Sequence, residues 1–127
     1  MKYKNPALTP EERAADLLSI MTLEEKVAQI DILRGVEYST IPHKLNHCSV
    51  DRNSDVNYEK FEKTVGDRGI GFIHDSYTVP AVFNKFQRYL VEKTRLGIPC
   101  IFTGEALHGI SFPGACVFPV PLGLAAS

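Results

Sequence analysis

Two short apolar runs decide the fold: Gly69-Ile70-Gly71-Phe72-Ile73-His74-Asp75 and, after Gly97, Ile98-Pro99-Cys100-Ile101-Phe102. Each is bounded by turn residues, the pattern of a strand buried in a parallel sheet. Between them, Thr78 to Leu96 spaces Val82, Phe83, Phe86, Tyr89, Leu90 and Leu96 along one face of a helix. Gly97 is placed to cap that helix, and Pro99 forbids its continuation. Strand, helix, strand makes a βαβ unit, which implies a right-handed crossover and a parallel sheet. The segment that follows, Thr103-Gly104-Glu105-Ala106-Leu107-His108-Gly109, therefore leaves the carboxyl end of a strand, where parallel α/β folds bind ligands.

Upstream, Thr9-Pro10-Glu11-Glu12 combines a Thr N-cap, Pro at the first helical position and Glu three residues after the cap. It predicts a helix to about Ile20, with Ala14, Leu17, Leu18 and Met21 on one face. Thr22-Leu23-Glu24-Glu25 repeats the device and predicts a second helix to about Leu33, striped by Leu23, Val27, Ile30 and Leu33 and stopped at Gly35. Residues 1–9 read as an extended lead-in. Residues 35–57, with Pro42, Asn46, Asn53, Ser54 and Asn57, show no periodicity and read as a polar loop or insertion. A short helix is predicted at Tyr58–Val65. The tail from Ser111 to Ser127 is broken by Pro113, Gly114, Pro119, Pro121 and Gly123.

Composition bounds the function. The 127 residues are 44% hydrophobic and 23% charged, enough apolar content for a core and a length typical of one domain. Fourteen Lys+Arg against fifteen Asp+Glu leave a net charge of −1, with no basic excess to follow a phosphate backbone, which argues against nucleic acid as a partner. No apolar run approaches the ~20 residues that span a bilayer. The amino-terminal MKYKNPALTPEER has no signal-peptide apolar stretch, which reads as cytoplasmic for the chain as it stands and leaves the compartment unassigned. Cys48, Cys100 and Cys116 form no CxxC and suggest no disulfide framework.

Glu105 and His108 are the most suggestive chemical pair. A carboxylate at the exit of a buried strand can accept hydrogen bonds from two neighbouring hydroxyls at once; the plainer alternative is that Glu105 caps a turn and His108 packs beneath the loop. His43, His47 and Cys48 offer the i, i+4 spacing of a helical metal site, but they lie in a polar loop without a HExxH pattern, and surface histidines are the better reading. His74-Asp75 reads as a satisfied polar pair at a strand end. Cys100, inside an apolar run, reads as a small hydrophobe, and Cys116 has no evident partner. There is no GxSxG, P-loop or GxGxxG; Gly69-Ile70-Gly71 only punctuates a strand. No metal or cofactor is expected.

Five motifs in order resemble glycoside hydrolase family 3. They are Tyr3–Pro6 with Asp16-Leu17-Leu18; Met21-Thr22-Leu23-Glu24-Glu25-Lys26; Thr94-Arg95-Leu96-Gly97-Ile98-Pro99; Glu105-Ala106-Leu107-His108-Gly109; and Phe118-Pro119 followed by Gly123-Leu124-Ala125-Ala126-Ser127. The resemblance implies an incomplete α/β fold: the N-terminal part of a (β/α)₈ TIM-like barrel, with leading helices at 1–34, the polar loop at 35–57, and the first βαβ unit and following loop at 69–127. It implies a retaining β-glucosidase or β-xylosidase type of enzyme acting on a small carbohydrate or glycoside, with no cofactor. Glu105 would bind hydroxyls of the terminal sugar, and His108 and Gly109 would shape its loop. Many relatives carry Asp where this chain has Glu105, whose extra methylene would change which sugar fits. Relatives are often periplasmic or secreted.

A complete barrel needs roughly 250 residues, and the two strands legible here are two of its eight. The family's nucleophile and acid/base lie on later segments, so the chain alone is expected to be an inactive fragment with no catalytic residue of its own. The alternative is a truncated, non-catalytic assembly module that self-associates into a homo-oligomer through open sheet edges.

Overall fold

Among the described residues three parallel strands, β1 (Ile32–Arg34), β2 (Phe72–His74) and β3 (Ile101–Thr103), form one sheet in the order β1-β2-β3. The computed structural model describes residues 1–44, 47–76, 79–110 and 115–127, with Leu124 in its backbone only. The helices are α1 (Pro10–Ile20), α2 (Leu23–Ile30), α3 (Tyr58–Val65), α4 (Pro80–Lys93) and a short α5 (Pro121–Ala125). The βαβ unit read from the sequence is present as β2-α4-β3. The start expected at Thr78 lies outside the described residues, as do Asn46 of the polar loop and Ser111, Pro113 and Gly114 of the tail. The α4 helix ends at Lys93, before Leu96, and its C-cap is Thr94 rather than Gly97.

The first strand corrects the sequence reading twice. The second helix stops at Ile30, not Leu33, because Asp31 adopts an extended conformation. Residues 32–34 then pair with β2, so the leading segment 1–34 contains a strand and the sheet has three strands rather than two. Three residues are too few to show alternation, and they read as the tail of the helical stripe until β2 supplies a ladder. Residues 2–4 likewise form a 3-10 turn that buries Tyr3, instead of an extended lead-in.

Both capping boxes form as expected. Thr9 and Thr22 each accept the backbone N–H of the Glu three residues on, and each Glu carboxylate accepts the cap's own N–H. The apolar stripe of α2, however, faces outward: Leu23 and Ile30 are 71% and 80% exposed, while Glu25 and Ala28 are buried. The expected face of α1 is half open: Met21, at its C-cap, is buried, while Ala14 and Leu18 are exposed.

The inversion has a cause. Gly71, opening β2, donates its N–H to the Ala28 carbonyl (2.8 Å). A Cβ on Gly71 would fall 1.9 Å from the Gln29 carbonyl oxygen. Only glycine allows this approach. Glu25 then reaches Arg95, whose Nε and Nη2 meet its two carboxylate oxygens at 2.6 and 2.5 Å. Arg95 also donates to the Ile20 carbonyl (2.9 Å) and pairs its backbone N–H with Asp67. Nearby, the buried Tyr3 donates its hydroxyl to the Leu96 carbonyl (2.5 Å) and its N–H to Asp16.

One face of the sheet carries Leu33, Ile73 and Phe102 into the core. Phe61 of α3, fully buried, is its centre, meeting Tyr38, Phe86 and Tyr89 edge-on at centroid distances of 5.7, 4.9 and 5.2 Å. The 35–57 segment is irregular in backbone, yet Val36, Tyr38, Val50 and Val56 belong to this core. Asp55 ties it to α4 through Lys85 (2.5 Å). The opposite face is open. Its lower row is Ile32, Phe72 and Ile101, with the two isoleucines 51% and 59% exposed, and its upper row is Arg34, His74 and Thr103.

Two outcomes test this packing. Phe61→Ala should cost about 3–5 kcal/mol in urea unfolding, as other buried aromatic truncations do; a loss below about 1 kcal/mol would contradict its central place. Arg95, chiefly through its hydrogen bonds, holds the Glu25 carboxyl below the usual glutamate range. A depressed folded value means that this stabilisation is present above the unfolded value of ~4.3 and lost as pH falls through the folded one. Glu25→Gln should therefore lower the melting temperature by about 5 °C at neutral pH, and by progressively less as the pH drops below ~4.3.

Candidate functional site

The carboxyl ends of the three strands converge on one polar row. Arg34, His74 and Thr103 are the last residues of β1, β2 and β3 and stand in register. Their side chains are linked. His74 Nδ1 lies 3.2 Å from Thr103 Oγ1, and His74 Nε2 lies 2.9 Å from Asp75 Oδ1. Arg34 Nε donates to Asp75 Oδ2 (3.2 Å), while its Nη2 donates to the His47 carbonyl (3.0 Å).

Asp75 is the centre of this row and is buried. It has φ of 51°, the left-handed region that Asp tolerates better than most residues but still at a cost. Its carbonyl accepts the Val36 N–H at 2.7 Å, tying β2 to the segment after β1. Oδ1 is sealed from solvent and has no well-aligned donor; the nearby His74 nitrogen gives it an electrostatic partner rather than a good hydrogen bond. The two residues do sit together at the strand end, within a larger network, but they are not the satisfied pair expected, since Oδ1 lacks a hydrogen bond. The Cys48 thiol is drawn into it: burial, then the Asp75 carboxylate, push its pKa up, so Cys48 is no poised nucleophile. Cys100 is pushed up to about 12 by burial, consistent with a small core hydrophobe.

Glu105 lies two residues beyond β3 and is exposed. The loop after it is stitched to the tail. His108 Nδ1 lies 3.0 Å from the Phe118 carbonyl, so that nitrogen carries the proton, and the Phe118 N–H donates back to the His108 carbonyl at 2.7 Å. Gly109 has φ of 84°, and a Cβ there would stand 2.8 Å from the Cys116 carbonyl oxygen and 2.9 Å from the Phe118 ring. The HG and FP motifs, nine residues apart in sequence, therefore touch. Glu105 and His108 thus occupy one loop, His108 turned to the tail.

His43 and His47 do not share a helix face. His43 donates its N–H to the Ser49 carbonyl beside an antiparallel bridge between Pro42 and Val50. Among the described residues no three His, Cys, Asp or Glu side chains are grouped to hold a metal ion. The 35–57 segment instead lines an open pocket of about 720 Å³ with Arg34, Glu37, His43, Lys44 and His47. The Arg34–Asp75 link was invisible in the sequence because it joins residues 41 apart. The one available signal was an acidic residue at a strand's end.

Among known proteins, the chain is similar to one named "Putative beta-xylosidase" from Formosa agariphila, with 36% identity over 133 residues covering 98% of this chain and 16% of that protein. The chain thus spans about one sixth of that relative's length. No family model matches it. Among the described residues no helix is long and apolar enough to cross a membrane.

Gly109→Ala should loosen the loop, because the methyl meets backbone and ring at a left-handed position that costs roughly 1–3 kcal/mol. Limited proteolysis should then cut between residues 105 and 118 on the order of ten times faster, the ratio such a cost implies. An unchanged cutting rate would show that glycine is not required there.

Proposed function

We propose that this chain is part of a retaining family 3 glycoside hydrolase that releases terminal β-linked glucose or a similar sugar, such as xylose, from oligosaccharides or glycosides. The observation that carries the reading is the similarity, along nearly the whole chain, to the Formosa agariphila protein and its beta-xylosidase name. The open sheet face supports it. An apolar row below a polar row at the strands' carboxyl ends is what the inside of a (β/α)₈ barrel requires: a packed lower layer and a reactive mouth. On this reading β1, β2 and β3 are the start of such a barrel.

Glu105 is the residue assigned to substrate. Its two oxygens accept hydrogen bonds from adjacent hydroxyls of the terminal sugar, a charge-assisted arrangement stronger than neutral pairs. His108 and Gly109 hold the loop that presents it. The nucleophile and the acid/base, which a retaining mechanism sets ~5–5.5 Å apart, belong to other parts of the protein. Cytoplasmic or exported, the enzyme needs no cofactor for this chemistry.

The test compares the full-length protein with residues 1–127 on aryl β-glucosides and β-xylosides. The full-length protein should release the phenol and the shorter chain should not; turnover by residues 1–127 alone would overturn the division of labour. In the full-length protein, Glu105→Gln should lower kcat/KM about 100-fold, as expected for losing about 1.5–3 kcal/mol of charge-assisted bonding, without changing the melting temperature by more than a few degrees. Glu105→Asp should shift the xyloside-to-glucoside preference.

A further inference from the structure

We infer that Asp75 is a positioning residue: with Arg34, His74 and Thr103 it forms a clasp across the ends of all three strands that fixes where β3 delivers Glu105. The inference rests on the glycosidase reading for its consequence, but not for its geometry. Every strand contributes its final residue, and the four side chains form one chain: Arg34 to Asp75, Asp75 to His74, His74 to Thr103. Both nitrogens of His74 are occupied by protein groups, so the ring serves as a link and not as a donor to substrate. Thr103, the far end of the clasp, is two residues from Glu105.

The backbone strain points the same way. Asp75 holds φ of 51° while buried at 5% exposure. A strained, buried carboxylate persists only where its surroundings over-determine it. Here its carbonyl accepts from Val36 just after β1, Oδ2 accepts from Arg34 of β1, Oδ1 lies beside the ring of its neighbour His74, and that ring meets Thr103 of β3. Turning Asp75 to a relaxed conformation would break its bond to Arg34 of β1 and take away the carboxylate beside His74 Nε2, leaving the ring that meets Thr103 held from one side only. A carboxylate meant to grip two sugar hydroxyls must sit within about 0.5 Å of its place, and an error near 1 Å can cost on the order of a hundredfold in rate. The clasp supplies that constraint from the strand ends.

The experiment uses the full-length protein with Asp75→Asn, Thr103→Val and the double variant. Amide hydrogen exchange across residues 103–109 should quicken at least tenfold in each single variant, while residues 80–93 of α4 stay unchanged. On an aryl β-glycoside, kcat/KM should fall about tenfold in each single variant. The double variant should fall about tenfold as well, not a hundredfold, because Asp75 and Thr103 act through the same His74. Unchanged exchange at 103–109, quickening spread evenly over the fold, or additive losses would each overturn the clasp. If Asp75→Asn does not fold, Thr103→Val, which leaves the buried carboxylate intact, decides the matter through the same exchange pattern. If the wild-type protein releases no phenol from any aryl glycoside, the glycosidase reading falls, and the clasp is still judged by exchange.

Discussion

The Glu25–Arg95 pair is the interaction on which the arrangement depends. Glu25 is one carboxylate with two tasks, capping α2 from its third position and gripping the guanidinium that follows α4. Arg95 in turn reaches the Ile20 carbonyl at the end of α1. The leading helices and the βαβ unit, some 70 residues apart, are therefore held by a bidentate contact whose acidic partner is buried. Burying a carboxylate is unfavourable unless it is paired and hydrogen-bonded, so the pair specifies one docking of α2 and disfavours the others.

That docking dictates what the rest of the chain must be. With Glu25 and Ala28 turned inward, α2 comes close enough to β2 that position 71 has no room for a side chain. The start of β2 hydrogen-bonds to the last turn of α2, and the residue after the helix lies alongside Phe72 as the first rung of the sheet. From there β1 can only run parallel to β2, and the 35–57 segment must cross back over the core, which explains why Val36, Tyr38, Val50 and Val56 are buried. The family-like motifs acquire physical content in the same way: Tyr3 with Asp16 and Leu96, Glu25 with Arg95, and His108 with Phe118 are contacts between motifs.

Local signals were the legible ones. Both capping boxes, α3 to the residue, and the strand–helix–strand order of β2, α4 and β3 follow from periodicity and caps, and all are short-range. The failures share a cause. β1 and the outward face of α2 are set by pairing with β2 and Arg95, partners about 40 and 70 residues away. Hydrophobic spacing then misled, because Leu23, Val27 and Ile30 mark a face that this part of the fold leaves exposed. Glu105's place just after a strand was legible from the sequence, while its role belongs to the proposed reading. The Asp75 network was not, since its meaning lies in three strand ends brought side by side.

An exposed carboxylate selects weakly. In water, hydroxyls of a sugar gain little by exchanging solvent for Glu105, since each new hydrogen bond replaces an old one. The same bonds strengthen when the surroundings are drier and the donor geometry is fixed in advance. On the proposed reading Glu105 has the second condition within reach, through the strand-end clasp behind it, and, being exposed, lacks the first. The open sheet face has the complementary shortage: two isoleucines, more than half exposed, with no layer over them. On the proposed reading one remedy serves both. Further strands closing over the Ile32–Phe72–Ile101 row would bury it and would raise walls around the Arg34–His74–Thr103 rim, converting an accessible acid into a selective one. The apolar row and Glu105 are thus two ends of one requirement, stability below and specificity above, along the same three strands.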